Sequence, residues 1–409
     1  MIAAVIERCV GIDVGKKLVV ACVMRGEAAG EAEWELREYG TTVEELRRLR
    51  DWVVSSGCTH AAVESTGVYW QPVFNQLEEA VVVVLAQPQQ VKARKGHKTD
   101  RQDAWWLAHL LRHAMIRPSF IPPRAVRQLR DLTRLRRRVL SQATQERNRV
   151  EKILEKASVK LTSVISDLFG VSGQRMLEAL LEGNATAEEV AGLVHGTMRR
   201  KVPALVAALQ NHELDEHYRL LIRLHVDHLA FLEEEIVKID EAIAAQIRSN
   251  GWLEQQQLIT TIPGVGQTSA ASILAEVGPD MNSFGSERKI SAWAGVCPGN
   301  AVSAGRSTSS RTPNGNSHLK TTLSLCAMAA SRTCSGAFQE KFHRIAPRGQ
   351  AKAVMAVSHA ILIQVFRVLQ SGTAYREPAH KLSERRKARL VRHHIRKLGK
   401  LGVAVRATT

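Results

Sequence analysis

CVGIDVGKKLVVACVM, residues 9–24, decides how the chain begins to fold. Apolar residues fill both halves, and Gly15-Lys16 separates them, so the stretch predicts two strands joined by a tight turn. A third strand is expected around Ala32–Leu36. Asp13 breaks the first apolar run with a carboxylate, and the neighbouring glycines keep the approach to it open. Taken alone it is weak evidence. Strand-end turns carry such aspartates, and the phosphate loops of actin-like or sugar-kinase ATPases open with a similar Gly-Ile-Asp-x-Gly. No second glycine-rich phosphate loop follows, and a small-molecule kinase has no need of a net charge of +17.

Working outward, TVEELRRLRDWVVSS (42–56) predicts a helix capped by Thr41 or Thr42, with Glu45 in its first turn. HAAVEST (60–66) predicts a short buried strand ending at Glu64, followed by a helix over Gln71–Glu79 and the strand VVVVLA (81–86). Thr99 then caps DRQDAWWLAHLLRHAM (100–115), a further helix. Three meandering strands followed by alternating helix and strand predict an α/β sheet of the ribonuclease H type. Pro118, Pro122 and Pro123 close it, giving an expected first domain of residues 1–123.

Glu64 ends an apolar strand, where a carboxylate is costly to bury unless paired or metal-bound. The plain alternative is an exposed glutamate capping the next helix. Asp100 and Asp103 occupy neighbouring positions on one helix face. A helix N-terminus favours such acids through its dipole alone. Yet Lys92, Arg94, Lys95, Lys98 and Arg101 gather beside them, which suits phosphate steering. Read in order, Asp13, Glu64, Asp100 and Asp103 suit a cluster holding Mg²⁺, which takes one or two carboxylates and leaves the rest of its octahedron to water and phosphate oxygens. Two such ions would stabilise the attacking and leaving oxygens of a phosphoryl transfer.

From Arg124 the composition turns basic and helical, with no Gly or Pro through Ala157. A second long helix carries Tyr218, Ile222, His225, Leu229, Leu232, Ile236, Ile239 and Ile243 at 4-3-4-3 spacing, a heptad seam that needs a partner from this chain or another copy. His225 on that seam reads as a polar residue setting register before it reads as a ligand. Residues 124–250 are therefore expected to be a coiled-coil helical region, residues 251–372 a third unit, and residues 373–409 a tail with eleven Lys/Arg against two Glu. That tail reads as disordered or irregularly helical until it meets phosphate. The charge favours nucleic acid as partner. No apolar run approaches the roughly 20 residues of a membrane span, and no basic n-region precedes a long apolar stretch, so a cytoplasmic protein without a membrane partner is expected. Six scattered cysteines with no C-x-x-C pair fit reduced, buried thiols.

In TIPGVGQTSAASILAEVG (261–278), Gly264 and Gly266 resemble the turn of helix-hairpin-helix modules, whose backbone amides meet a DNA phosphate; a plain helix-helix turn fits nearly as well. GVCPGNAVSAGRSTSSRTPNGNSHLKTTL (295–323) is a loop rich in small residues, with Arg306 and Arg311 inside it and Lys320 in the helix that follows. A serine that attacks phosphorus needs an exposed oxygen, nearby cations and a base or metal. Ser303, Ser307, Ser309 and Ser310 all meet that description.

Together VGIDVGKK, AAVESTGVYW, KTDRQDAWWLAHLLR, TIPGVGQTSAASILAEVG, GVCPGNAVSAGRS and NGNSHLKTTL resemble the DEDD-type insertion-sequence transposases, the family that includes the Piv DNA invertases. The resemblance implies an α/β plus α chain: a RuvC-like, ribonuclease H-like N-terminal domain, a long coiled-coil insert and a mainly helical C-terminal transposase domain with a catalytic serine. It places the acidic tetrad on Asp13, Glu64, Asp100 and Asp103, and the serine on Ser303. Ala301-Val302 stands where the family often has Asn-Glu. It further implies a Mg²⁺-dependent site-specific recombinase that acts on donor and target DNA, forms a phosphoserine intermediate, binds a structured non-coding guide RNA and works as a dimer or tetramer. A RuvC-like junction-resolving nuclease without a covalent intermediate, and a non-catalytic nucleic-acid scaffold, are the other readings.

Overall fold

A computed structural model describes residues 4–27, 30–65, 67–86, 91, 99–116, 119–210, 213–298, 301–303, 306–309, 312–332, 336–377, 391, 392, 395, 396 and 398. It divides into two compact units, Met1–Ile121 and Pro122–Thr409.

The first unit is a five-stranded sheet with helices on both faces. Its elements are β1 (Arg8–Val14), β2 (Leu18–Arg25), β3 (Glu33–Gly40), α1 (Val43–Ser55), β4 (His60–Glu64), α2 (Trp70–Leu77), β5 (Val82–Ala86) and α3 (Asp100–Arg112). The strand order is β3-β2-β1-β4-β5. β1, β2 and β3 form an antiparallel meander, while β4 and β5 run parallel to β1. Side chains alternate across the sheet, and the two faces bury separate clusters. Val10, Ile12, Ala61 and Val63 pack with Leu46, Leu49 and Leu77 of α1 and α2. Cys9, Cys22, Ala62 and Ala86 pack with Leu107, Ala108 and Leu111 of α3. Burial pushes the Cys9 and Cys22 thiols up to about 12 and Cys58 to about 11, so these groups are inert packing.

The second unit is mainly helical. Its elements are α4 (Arg124–Lys156), α5 (Leu161–Val164), α6 (Val171–Glu182), α7 (Ala187–Gly192), α8 (Val202–Leu209), α9 (Glu216–Ser249), α10 (Leu253–Thr260), α11 (Gln267–Val277), α12 (Glu287–Ala294), the hairpin β6 (Ala301–Ser303) and β7 (Arg306–Ser309), α13 (Ser317–Ser331), α14 (Ala337–Ile345) and α15 (Gln350–Ser371). α4 and α9 pack side by side and run antiparallel: Arg136 pairs with Asp240, Arg147 with Glu233 and Glu146 with His225. Ile222, Leu229, Leu232, Ile239 and Ile243 are the buried stripe of α9. Its partner helix thus comes from the same chain. The His225 Nδ1–H donates across the pair to Glu146 Oε2 at 2.7 Å.

No continuous apolar run reaches the length of a membrane span, but one helix is apolar enough on average. α15 has 22 residues and a mean hydropathy of 1.6 in its most apolar window, long and apolar enough to cross a membrane. Lys352, His359 and Arg367 interrupt its sequence and hide this from inspection for continuous runs. Val357, Ile361, Leu362, Val365 and Phe366 are buried, and α10, α12, α13 and α14 pack around it. This is the core helix of the unit. Most of the basic tail lies outside the described residues; its start turns back, with Tyr375 stacked on Phe338 and its amide donating to Thr261 Oγ1 at 2.9 Å.

Candidate functional site

Asp13 and Glu64 are brought together by strand register. Ile12 stands opposite Val63 in the parallel β1–β4 pair, so one step further Asp13 stands beside Glu64. Both share the sheet face of Cys9, Gly11 and Ala62, which α3 covers. The direction of α3 follows from its contacts. At its C-terminal end the buried Arg112 guanidinium donates to the carbonyls of Ile6 and Glu7 at 3.3 and 2.8 Å, and to those of Gly26 and Glu27 at 3.0 and 2.8 Å. In its middle, Ala104 and Ala108 lie directly on Gly11. α3 therefore runs antiparallel to β1, and its first turn, with Asp100 and Asp103, reaches the end of β1 that carries Asp13. Asp13, Glu64 and Asp103 are half-buried and Asp100 is exposed.

Gly11 permits this approach. A Cβ there would stand 2.2 Å from the Ala108 nitrogen and 2.3 Å from the Ala104 oxygen. No side chain fits. Thr99 caps the helix by accepting from the Gln102 amide at 3.3 Å, which fixes where the acidic turn begins.

Ser303 ends β6 and pairs with Arg306 across the turn to β7. On either side of this segment of the chain two glycines meet: a Cβ on Gly315 would lie 2.5 Å from the Gly295 nitrogen. Asn316 then ties the base down. Its Oδ1 accepts from the amides of His318 and Leu319, capping α13, and its Nδ2 donates to Glu276 Oε2 at 2.6 Å. Glu276 is buried on α11 and is held by Arg134 (Nε–Oε1 2.9 Å) and Arg130 (Nε–Oε2 3.2 Å) of α4. Burial raises the Glu276 carboxyl, but Arg134, Arg130 and Asn316 outweigh it and hold the group below its ordinary value. Sequence reading missed this network. The available signal was a glutamate inside the apolar SILAEVG, which demands a buried partner.

Two family profiles match the chain: one described as a transposase of the DEDD IS110 type over residues 10–159, the other as the transposase IS116/IS110/IS902 family over residues 256–344. The chain belongs to the IS110-type DEDD transposases. It is similar to the transposase for insertion sequence element IS1111A of Coxiella burnetii (strain RSA 493 / Nine Mile phase I), 25% identical over 71% of this chain and 68% of that one. It is also similar to the transposase for insertion sequence element IS1328 of Yersinia enterocolitica, 32% identical over 31% of this chain and 37% of that one. Among solved structures, the Thermus thermophilus RuvC structure is 17% identical, covers 28% of this chain and all of that one, and gives a TM-score of 0.23.

For an IS110-type transposase, the four carboxylates are a hard, all-oxygen donor set of the kind magnesium takes. Their oxygens suit a divalent ion in chemistry, and strand register with the direction of α3 brings them towards one end of the sheet. Among the described residues, no group of three His, Cys, Asp or Glu side chains stands close enough to hold a metal ion. Arg101 is engaged by Glu38, Nη1 to Oε1 3.3 Å. Lys92, Arg94, Lys95, Lys98 and Arg311 lie outside the described residues, as do the side chains of Ser303 and Arg306. Lys320 donates to Thr312 Oγ1 at 2.7 Å. Gly264 and Gly266 part company. A Cβ on Gly264 would meet the Cys326 oxygen at 2.5 Å, so it serves packing on α13, whereas Gly266 faces open space as the N-cap of α11.

Proposed function

We propose that this chain is a Mg²⁺-dependent recombinase of an insertion element in which Ser303 attacks a DNA phosphate. The observation that carries the reading is the convergence of Asp13, Glu64, Asp100 and Asp103 on one end of a sheet, within a chain of this transposase family. The meander followed by parallel strands supports a ribonuclease H-like, RuvC-like unit. The antiparallel α4–α9 pair with its heptad stripe supports a coiled-coil insert.

Asp13, Glu64, Asp100 and Asp103 would hold the magnesium, which when bound neutralises phosphate charge. In the proposed step the Ser303 Oγ forms a bond to phosphorus and the P–O3′ bond breaks. The serine proton ends on the departing 3′ oxygen, leaving a phosphoserine and a free 3′ hydroxyl. Arg306, paired with Ser303 across the hairpin turn, balances charge on the phosphate. Reversal with a different 3′ hydroxyl rejoins the strand, so no hydrolysis is needed. The hairpin and the carboxylates act on the same phosphate, contributed by different protomers of a dimer or tetramer. A structured non-coding RNA supplies sequence choice by pairing with donor and target DNA, which leaves backbone and shape to the protein.

The test is denaturing electrophoresis of the protein with labelled donor DNA and Mg²⁺. A covalent protein–DNA adduct that disappears in Ser303→Ala supports the reading. Strand cleavage that persists in Ser303→Ala without an adduct replaces it with a carboxylate-only nuclease. Binding indifferent to EDTA, with no change in DNA topology, replaces it with a scaffold.

A further inference from the structure

α4, α11 and α13 enclose a cleft of about 250 Å³ within the second unit. Three arginines from about one turn of α4 line it: Arg134, Arg136 and Arg137. Arg136 is neutralised by Asp240 at 2.5 Å. Arg134 and Arg130 share the single carboxylate of Glu276, which leaves positive charge in excess. Arg137 has only a long hydrogen bond to the His318 carbonyl, 3.4 Å, and no carboxylate within ion-pair distance among the described residues. Burial and the nearby Arg134 hold His318 below its ordinary value, so the positive charge of the cleft belongs to the arginines.

The opposite wall is α11. Thr268 and Ser269 stand in its first turn, where no side chain caps the amides that lack an intrahelical acceptor. The mouth is apolar: Leu140 of α4 is 43% exposed and Leu325 of α13 is 56% exposed. An inorganic anion has no use for such lips. A strand with sugars on either side of its phosphate does.

We propose that this cleft seats one backbone phosphate of a nucleic-acid strand, with Arg137 as its cation, Thr268 as a hydroxyl donor, and Leu140 and Leu325 against the adjoining sugars. This rests on the recombinase reading for its ligand class but on none of the catalytic residues. It puts a strand-holding site on α4, whose other arginines are largely committed to internal pairs.

The test uses the full chain and a labelled single-stranded DNA of mixed sequence, titrated at several salt concentrations. One lost phosphate contact lowers the salt slope by about 0.7 and affinity by roughly fivefold at ~0.1 M salt. That result is expected for Arg137→Ala, with a smaller loss for the exposed Thr268→Ala. Arg138→Ala, an exposed arginine of the same helix, is the charge control and should lose less. Equal losses in Arg137→Ala and Arg138→Ala, or no loss in Arg137→Ala and Thr268→Ala, overturn the site while leaving the recombinase reading intact. Inorganic phosphate that raises the melting temperature of the unaltered chain but not of Arg137→Ala, with strand binding unchanged, assigns the cleft to a free anion and overturns the proposal. No strand binding by the unaltered chain overturns both readings.

Discussion

Gly11 and Arg112 decide where the acidic residues stand, although neither carries the chemistry. Asp13 and Glu64 are legible in the sequence because each interrupts or ends an apolar segment, where a charge needs a reason, and Asp100 and Asp103 because they share one face of a helix start beside a basic run. Gly11 and Arg112 are not, because their partners lie about a hundred positions away in the chain (Ala108 for one, Ile6 and Glu7 for the other). Arg112 is buried without a carboxylate partner among the described residues and is satisfied by four carbonyls instead. Gly11→Ala would force α3 off β1, since its new methyl meets backbone that cannot swing aside. We expect a loss of roughly 1–3 kcal/mol in urea unfolding, with recombination lost more completely than stability. Gly266→Ala is the contrast. Its φ of −86° suits any residue and the space is open, so stability should change by less than about 1 kcal/mol. Equal effects of the two substitutions would contradict the packing described for Gly11.

At the scale of elements, the heptad stripe of α9 was readable because its 4-3-4-3 spacing runs for several turns. Which helix fills the groove was not, since periodicity shows a face and never its occupant. The pairs Arg136–Asp240 and Arg147–Glu233 take up part of the positive charge that α4 shows in sequence, because arginines committed inside the protein count as surplus charge on the page. Glu276 joins α4, α11 and α13, and its pH behaviour is testable. Its folded carboxyl sits below the ordinary value of 4.5, so the folded chain keeps the carboxylate to lower pH than the unfolded chain does. The resulting stabilisation is complete above pH 4.5 and fades as pH falls through the folded value. Glu276→Gln should therefore cost about 3 kcal/mol at neutral pH, by stranding Arg130. The gap from the unaltered chain should narrow as pH drops below 4.5. Urea unfolding at a series of pH values measures it, and a gap that stays constant would show the carboxylate charge to be irrelevant.

For the whole molecule, the buried clusters respect the division into two units. Among the described residues, those built on the sheet draw on residues before Pro122, and those built on α4 and α9 on residues after it. The sequence showed the change in composition at Arg124 but not that each side closes its own core, because closure depends on contacts such as Gly11 on α3. Residues 1–121 carry all four carboxylates together with the glycine and arginine that position them, so the acidic end of the sheet should form without the rest of the chain. A fragment of those residues should melt cooperatively, reported by Trp52, which is 7% exposed. A ligand that binds only the folded form raises the melting temperature, and four acidic side chains at one sheet end gain most from a divalent cation. Added Mg²⁺ should therefore raise the fragment's melting temperature, and Asp13→Asn should raise the melting temperature without Mg²⁺, by removing one repelling charge, while abolishing the response to the ion. A fragment that melts cooperatively but ignores Mg²⁺, with Asp13→Asn behaving as the unaltered sequence, would mean that these carboxylates are neighbours in the fold and not partners in a metal site.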